Sequence, residues 1–222
     1  DPSPKIGLPE VEFIELFNRS QTTYNLDGWK VTDESSLFML PALVLAPGEY
    51  LIIAPSADEF SGYGKVWADN DFPSLNNSGD LLQIRDINDL LVDSINYSNS
   101  WYKDDDRSSG GWSLELIDPD NLCSDSENWT VSDDPAGGTP GKQNSVFANK
   151  PDLTGPILQS VFPSNATSLR LTFNERLEKL LPDVTSFTLD PAIEITRIAF
   201  TDQSLTRLQL SLANALQPGV IY

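Results

Sequence analysis

The chain of 222 residues carries 33 acidic and 14 basic side chains, no histidine and one cysteine, for a net charge of −19 and a pI near 4.1. Such an acidic chain repels phosphate backbones and anionic membrane surfaces, so neither nucleic acid nor membrane is expected as a partner. The missing histidine removes every His-dependent triad, the single cysteine removes intrachain disulfides and Cys-rich zinc sites, and no run approaches the roughly 18 apolar residues of a spanning helix.

Hydrophobic residues make up 39% of the chain, with 5 Trp, 6 Tyr and 10 Phe available to fill cores, while 16 Pro and 13 Gly punctuate it. No long helical period is present, and short strands between turn signals predict an all-β protein. Residues 11–17 (VEFIELF) read as a strand, and residues 25–31 (NLDGWKV) place a turn before an aromatic strand start. Residues 43–45 and 50–53 flank Ala46-Pro47-Gly48-Glu49, where proline second and glycine third suit a type II turn. The turn at residues 76–80 leads into 81–85, residues 86–89 turn into 90–97, and residues 113–117 (SLELI) form a further strand. This spacing is that of a sandwich.

From residue 133 to 150 the apolar periodicity fails, and a stretch rich in Gly, Pro and Asn reads as loop and linker. Charge shifts there too. Residues 1–150 hold 26 acidic and 9 basic side chains, net −17, against 7 and 5, net −2, in residues 151–222, which predicts a domain boundary near 150. Beyond it, Leu169, Leu171 and Phe173 alternate with Ser168, Arg170 and Thr172, and Leu208, Leu210 and Leu212 alternate with Arg207, Gln209 and Ser211. Each set is a half-buried antiparallel strand. Ile193 and Ile195 keep one phase while Ile198 and Phe200 keep the other, so a bulge is expected near residues 196–197.

An ordered set of motifs runs through residues 5–147. It comprises Glu12-Phe13-Ile14-Glu15-Leu16-Phe17-Asn18, Leu26-Asp27-Gly28-Trp29-Lys30-Val31, Leu45-Ala46-Pro47-Gly48-Glu49-Tyr50, Asn77-Ser78-Gly79-Asp80 and Asp93-Ser94-Ile95-Asn96-Tyr97. It ends with Gly110-Gly111-Trp112-Ser113-Leu114-Glu115, Asn128-Trp129 and Gly137-Gly138-Thr139-Pro140-Gly141-Lys142-Gln143-Asn144-Ser145. This set resembles the lamin-tail domain, the immunoglobulin-like sandwich of intermediate-filament tails, in its bacterial form. Asp152, Gly155-Pro156, Val161-Phe162-Pro163, Leu171-Thr172-Phe173-Asn174-Glu175 and Leu216-Gln217-Pro218-Gly219 are similar to bacterial Ig-like surface modules. The architecture expected is two tandem immunoglobulin-like β-sandwiches, a lamin-tail-like domain over 1–148 and a bacterial Ig-like domain over 152–222. The second is expected to be incomplete, because such modules usually continue for at least one strand past the Pro-Gly turn. The resemblance implies an extracytoplasmic, surface or secreted multidomain protein; it does not imply an activity.

Candidate sites follow from the acidic and aromatic clusters. Glu12 and Glu15 invite a catalytic pair, but strand residues three apart point to opposite faces. Counting from Asp104, oxygen-bearing side chains fall at positions 1, 3 and 5 (Asp104, Asp106, Ser108), with Glu115 at position 12, a spacing that echoes a calcium loop. The sharp-turn glycine is one place late, at Gly110, and no helices flank the loop. Asp104, Asp106 and Glu115 are therefore candidate ligands of a looser Ca²⁺ site, and no other cofactor is expected. Asp69-Asn70-Asp71 and Asp118-Pro119-Asp120-Asn121 read as turn formers. Trp101 and Tyr102, beside the acidic loop, are candidate glycan contacts set against core packing. Cys123 has no activating base and is left idle, or pairs with a cysteine beyond this sequence. Asn18, Asn76, Asn96, Asn128 and Asn165 open glycosylation sequons that matter only in a glycosylating host. Residues 137–142 mimic a phosphate loop, but proline intervenes and no helix follows.

These features point to a non-enzymatic structural or interaction module of an exported bacterial cell-surface protein, supporting adhesion or spacing other domains. Its expected partners are other protein domains or cell-surface components. The alternative is an accessory glycan- or calcium-binding domain of a secreted multidomain enzyme such as a nuclease.

Overall fold

The computed structural model describes residues 1–33, 35–178, 180–202 and 204–222. The chain divides into two compact units, the first made of residues 1–121 and 126–151, the second of residues 122–125 and 152–222. Both are all-β; the only helical segments among the described residues are 3-10 turns of three or four residues.

Among the described residues, eleven strands build the first unit. They are β1 (Ile14–Phe17), β2 (Tyr24–Asn25), β3 (Lys30–Thr32), β4 (Leu37–Met39), β5 (Val44–Leu45), β6 (Tyr50–Ala54), β7 (Val66–Ala68), β8 (Gly79–Arg85), β9 (Leu91–Ser98), β10 (Leu114–Leu116) and β11 (Trp129–Val131). Sheets of order β1-β6-β7 and β4-β3-β8-β9 enclose the core, with β2-β5 and β10-β11 as two-stranded ribbons. Leu51 and Ile53 of β6 meet Val31, Phe38, Leu26, Leu40 and Leu45 in the main cluster, with Trp67 and Ile84 packed against it. Ile52 and Ala54 point the other way, into a second cluster with Phe60, bordered by Val11, Phe13, Tyr63 and Val66. A strand that reads as one apolar run is thus buried on both faces. Residues 51–54 are fully buried. The parallel β6–β7 pair, Ile52 opposite Val66, is made by a connection through a 3-10 turn at Asp58–Phe60.

The turn before β6 has the expected form. The Glu49 amide donates to the Ala46 carbonyl at 3.1 Å, and Gly48 takes φ +76°, where a side chain would be strained. Residues 25–31 divide into β2 and β3 around Gly28, at φ +72°. The linker reading of residues 133–150 is corrected. Gly137, Gly138, Thr139 and Pro140 are buried, and the segment packs as a strap within the first unit. Over residues 137–141 the lack of periodicity reflects a chain pressed close against its neighbours, while much of 142–149 is exposed.

The second unit is one antiparallel sheet of order β12-β13-β15-β14, with β12 (Leu158–Asn165), β13 (Ser168–Phe173), β14 (Ile195–Phe200) and β15 (Arg207–Leu212). Leu169 lies opposite Leu210 and Leu171 opposite Leu208, so the alternating leucines share the buried face. The β14–β15 register slips between Ile195 and Arg197, at the expected bulge. Residues 122–125, within the stretch expected as the first domain, belong to this unit.

Candidate functional site

The β10–β11 ribbon places Glu115 opposite Thr130 and directs its side chain inward, where only 4% of the residue is exposed. A buried carboxylate needs donors to replace water, and the strap supplies them. Thr139 Oγ1 donates to Oε1 at 2.6 Å, with Ser113 Oγ at 3.4 Å, while the Ser145 amide and hydroxyl donate to Oε2 at 2.9 and 2.7 Å.

Glu15 reaches the same strap from β1. Its neighbours Ile14 and Leu16 pair with Ile53 and Leu51, so the alternation of the strand sends Glu15 to the Ile52 face. The Gly141 amide donates to its Oε2 at 2.5 Å. Burial pushes the Glu15 carboxyl up to about 7; the Gly141 bond opposes the rise, and the charge of Glu115 adds to it. Gly141 sits at φ +81°, and a Cβ there would overlap the Tyr63 carbonyl oxygen, so only glycine fits. A Cβ on Gly138 would collide with Ser113 Oγ and Leu8 Cδ1. The Gly137 carbonyl accepts from the Ser113 amide at 2.7 Å.

A second buried node pins the strap's far end. Asn128, 1% exposed, donates from Nδ2 to the carbonyls of Asp118 and Asn121 at 2.7 and 2.6 Å and accepts the Asp118 amide at 3.0 Å. Asp118 Oδ2 then accepts the Lys150 amide at 2.7 Å, and Asn121 Nδ2 donates to the Lys150 carbonyl at 2.8 Å. Asn18 does a similar job at the β1 end, donating to the carbonyls of Thr22 and Leu45 at 2.8 and 2.9 Å. Asn18 and Asn128, which the sequence marks both as sequons and as members of the motif set, therefore spend their amides inside the fold.

The residues singled out from sequence are placed as follows. Glu12 accepts the Leu75 amide at 3.1 Å and Glu15 the Gly141 amide, so the two carboxylates hold different segments. Asp104 Oδ1 accepts the amides of Asp106 and Arg107 at 3.1 and 3.0 Å, and its Oδ2 lies 3.5 Å from Arg107 Nε. Arg107 also donates to the Ser132 carbonyl at 3.1 Å, and its guanidinium carbon lies 4.6 Å from the centroid of the Trp112 ring. Asp106 precedes the 3-10 turn Arg107–Ser109, its carbonyl accepting the Ser109 amide. Asp104 and Asp106 thus share one turn, whereas Glu115 is engaged by the strap. Among the described residues, no group of three or more His, Cys, Asp or Glu side chains is disposed to hold a metal ion. Trp101 and Tyr102 fall in the 3-10 turn Asn99–Tyr102, where Tyr102 donates its hydroxyl to the Trp112 carbonyl at 3.1 Å and burial raises its pKa. Cys123 is a half-buried free thiol in the second unit, its pKa raised first by burial and then by the charge of Asp152. No described helix is long and apolar enough to cross a membrane.

Short strands in two sheets around a shared core, with no helix beyond single 3-10 turns, make the first unit an all-β domain of the immunoglobulin-like sandwich class. Residues 1–99 match the lamin tail domain family, an immunoglobulin-like interaction domain. Residues 100–121 and 126–151, which complete the unit and carry Glu115 and the strap, lie outside the matched segment. Neither the curated proteins nor the solved structures compared with the chain give a match.

Proposed function

We propose that the chain is a non-enzymatic structural and interaction module of an exported bacterial cell-surface protein, supporting adhesion or spacing other domains. The observation that carries this reading is the lamin tail match over residues 1–99 in a unit whose buried acidic groups are taken up by its own amides and hydroxyls. A catalytic carboxylate pair needs oxygens facing a substrate bond; Glu15 and Glu115 face Gly141, Thr139 and Ser145. The bacterial and surface elements rest on the resemblance of the Gly110–Ser145 motifs and of the second unit to modules of exported proteins. Its partners are other protein domains or surface components, engaged through exposed strands and loops.

The test has two arms. An antibody raised against the chain is expected to label intact cells that make the parent protein, and the purified chain is expected to leave nucleic acid and glycan substrates uncleaved. Labelling only after permeabilisation would defeat the surface reading. Cleavage that is lost in Glu15→Gln or Glu115→Gln while the fold survives would defeat the non-enzymatic one.

A further inference from the structure

The two faces of the second unit's sheet differ in kind. Leu169, Leu171, Leu208 and Leu210 turn to the core, so the alternation of β13 and β15 sends Arg170, Thr172, Arg207 and Gln209 to the other face. Arg170 lies opposite Gln209, and Arg207 is two places along β15 from it. Arg197 of β14 lies opposite Ser211, two places along the other way. The three arginines therefore ring Gln209, each within about 8 Å of it at the backbone. All three are exposed, and Phe162, opposite Arg170 on β12, is 66% exposed on the same face.

Charge is the second observation. The four strands hold these three arginines and no acidic residue. The second unit as a whole holds eight acidic and five basic side chains, net −3, so the first unit carries −16 of the −19. Among the described residues, none of the three guanidiniums forms an ion pair or a hydrogen bond. Two carboxylates flank β14. Asp202 is engaged by the amides of Thr206 and Arg207 and the hydroxyls of Ser204 and Thr206, and Glu194 forms no ion pair with Arg197. The result is a basic, unneutralised sheet face on an acidic chain.

The size of the face selects the ligand. Four strands about 4.8 Å apart, each of six residues rising about 3.4 Å, give roughly 300 Å² in projection. A standard protein interface takes ~800 Å² per partner, so a thin anionic chain fits better than a folded acidic protein. Nucleic acid is thin too, but its dense phosphates are repelled by the first unit, and one aromatic ring is little for its bases to stack on. An acidic polysaccharide carries its carboxylates one or two sugar rings apart. Its hydroxyls match Gln209 and Thr172, the apolar face of a ring matches Phe162, and guanidinium holds carboxylate in paired hydrogen bonds.

We propose that this face of the second unit binds an acidic polysaccharide, with Arg170, Arg197 and Arg207 taking its carboxylates and Phe162 lying against a sugar ring. The proposal goes beyond the surface reading and does not rest on it, because binding is measured in solution whatever the result of cell labelling.

The test is calorimetric titration of the full chain with polygalacturonate oligosaccharides at low and high salt. Binding is expected at low salt and weakens as salt screens the charges. Arg170→Gln, Arg197→Gln and Arg207→Gln should each weaken it about fivefold or more, with circular dichroism and melting unchanged because the side chains are exposed. Phe162→Ala should weaken it as well, whereas Arg19→Gln, in the first unit, should leave it intact. No binding at low salt overturns the proposal, as does binding insensitive to the three arginine variants. Equal or tighter binding of polyglutamate or DNA overturns the polysaccharide in favour of that polymer.

Discussion

Replacing Glu15 with glutamine removes a titrating group while keeping an oxygen to accept the Gly141 amide. In the fold the carboxyl is raised from 4.5 to about 7, chiefly by burial. A raised carboxyl favours the protonated form in the native state. Its contribution is therefore fully present below about pH 4.5, fades as pH rises to about 7, and is absent above that. At about 1.4 kcal/mol per pKa unit, the ionised native state gives up about 3 kcal/mol across this window. Glu15→Gln does not suffer that loss. Relative to wild type it should gain up to about 3 kcal/mol between pH 5 and pH 8, or about 6–12 °C in melting temperature for a unit of this size. Urea unfolding of both proteins at half-unit pH steps measures the gain, and taking the difference cancels the other carboxylates. Parallel stability–pH curves for the two proteins would refute the buried placement of Glu15.

Glu115→Ala leaves the buried Thr139 hydroxyl without its acceptor, while the donors of the exposed Ser145 can turn to water, and should cost about 1–3 kcal/mol in denaturant unfolding of the first unit. Gly141→Ala meets the Tyr63 carbonyl at positive φ, whereas Gly48→Ala, also at positive φ, meets open space. Calorimetry should show the first losing clearly more stability than the second, which pays only about 1 kcal/mol for its backbone. Asn128→Ala should cost about 2–4 kcal/mol by unpairing Asp118 and Asn121. Because Asp104 is already paired with Arg107 and Glu115 with the strap, added Ca²⁺ should leave the melting temperature within about 1 °C of the chelated protein.

The strands visible in the sequence are those long enough to show a period. The alternating leucines of β13 and β15 and the phase change at Ile195 each give several residues of evidence, and the structure places them as read. β4, β7 and β11 span three residues each, too few for alternation to stand out from chance. The parallel β6–β7 pair follows from tertiary packing around Phe60, which no local pattern announces. The strap belongs to the motif set over residues 5–147, but its composition reads as linker. Glycine, proline and threonine at residues 137–141 carry the composition of a linker, and only the close approach of Tyr63, Ser113 and Leu8 explains why small residues are needed there. Glu15 and Glu115 stand 100 positions apart. The strand expected over 11–17 begins only at Ile14, so Glu12 lies outside β1, and the two carboxylates are kept apart by accepting from different segments, Leu75 and Gly141. Local pattern cannot supply the partner of Glu15, because that contact depends on how β10 and the strap return to β1.

The central claim is that the acidic groups of the first unit serve to hold its own chain in place. Amide hydrogen exchange at Gly141 and Ser145, whose N–H groups are given to Glu15 and Glu115, tests this most directly. Protection approaching that of the buried residues 51–54 of β6 is expected, falling by at least tenfold at Ser145 in Glu115→Ala while β6 itself stays protected. Exchange of both amides at the rate of an open loop in the unaltered protein would contradict it.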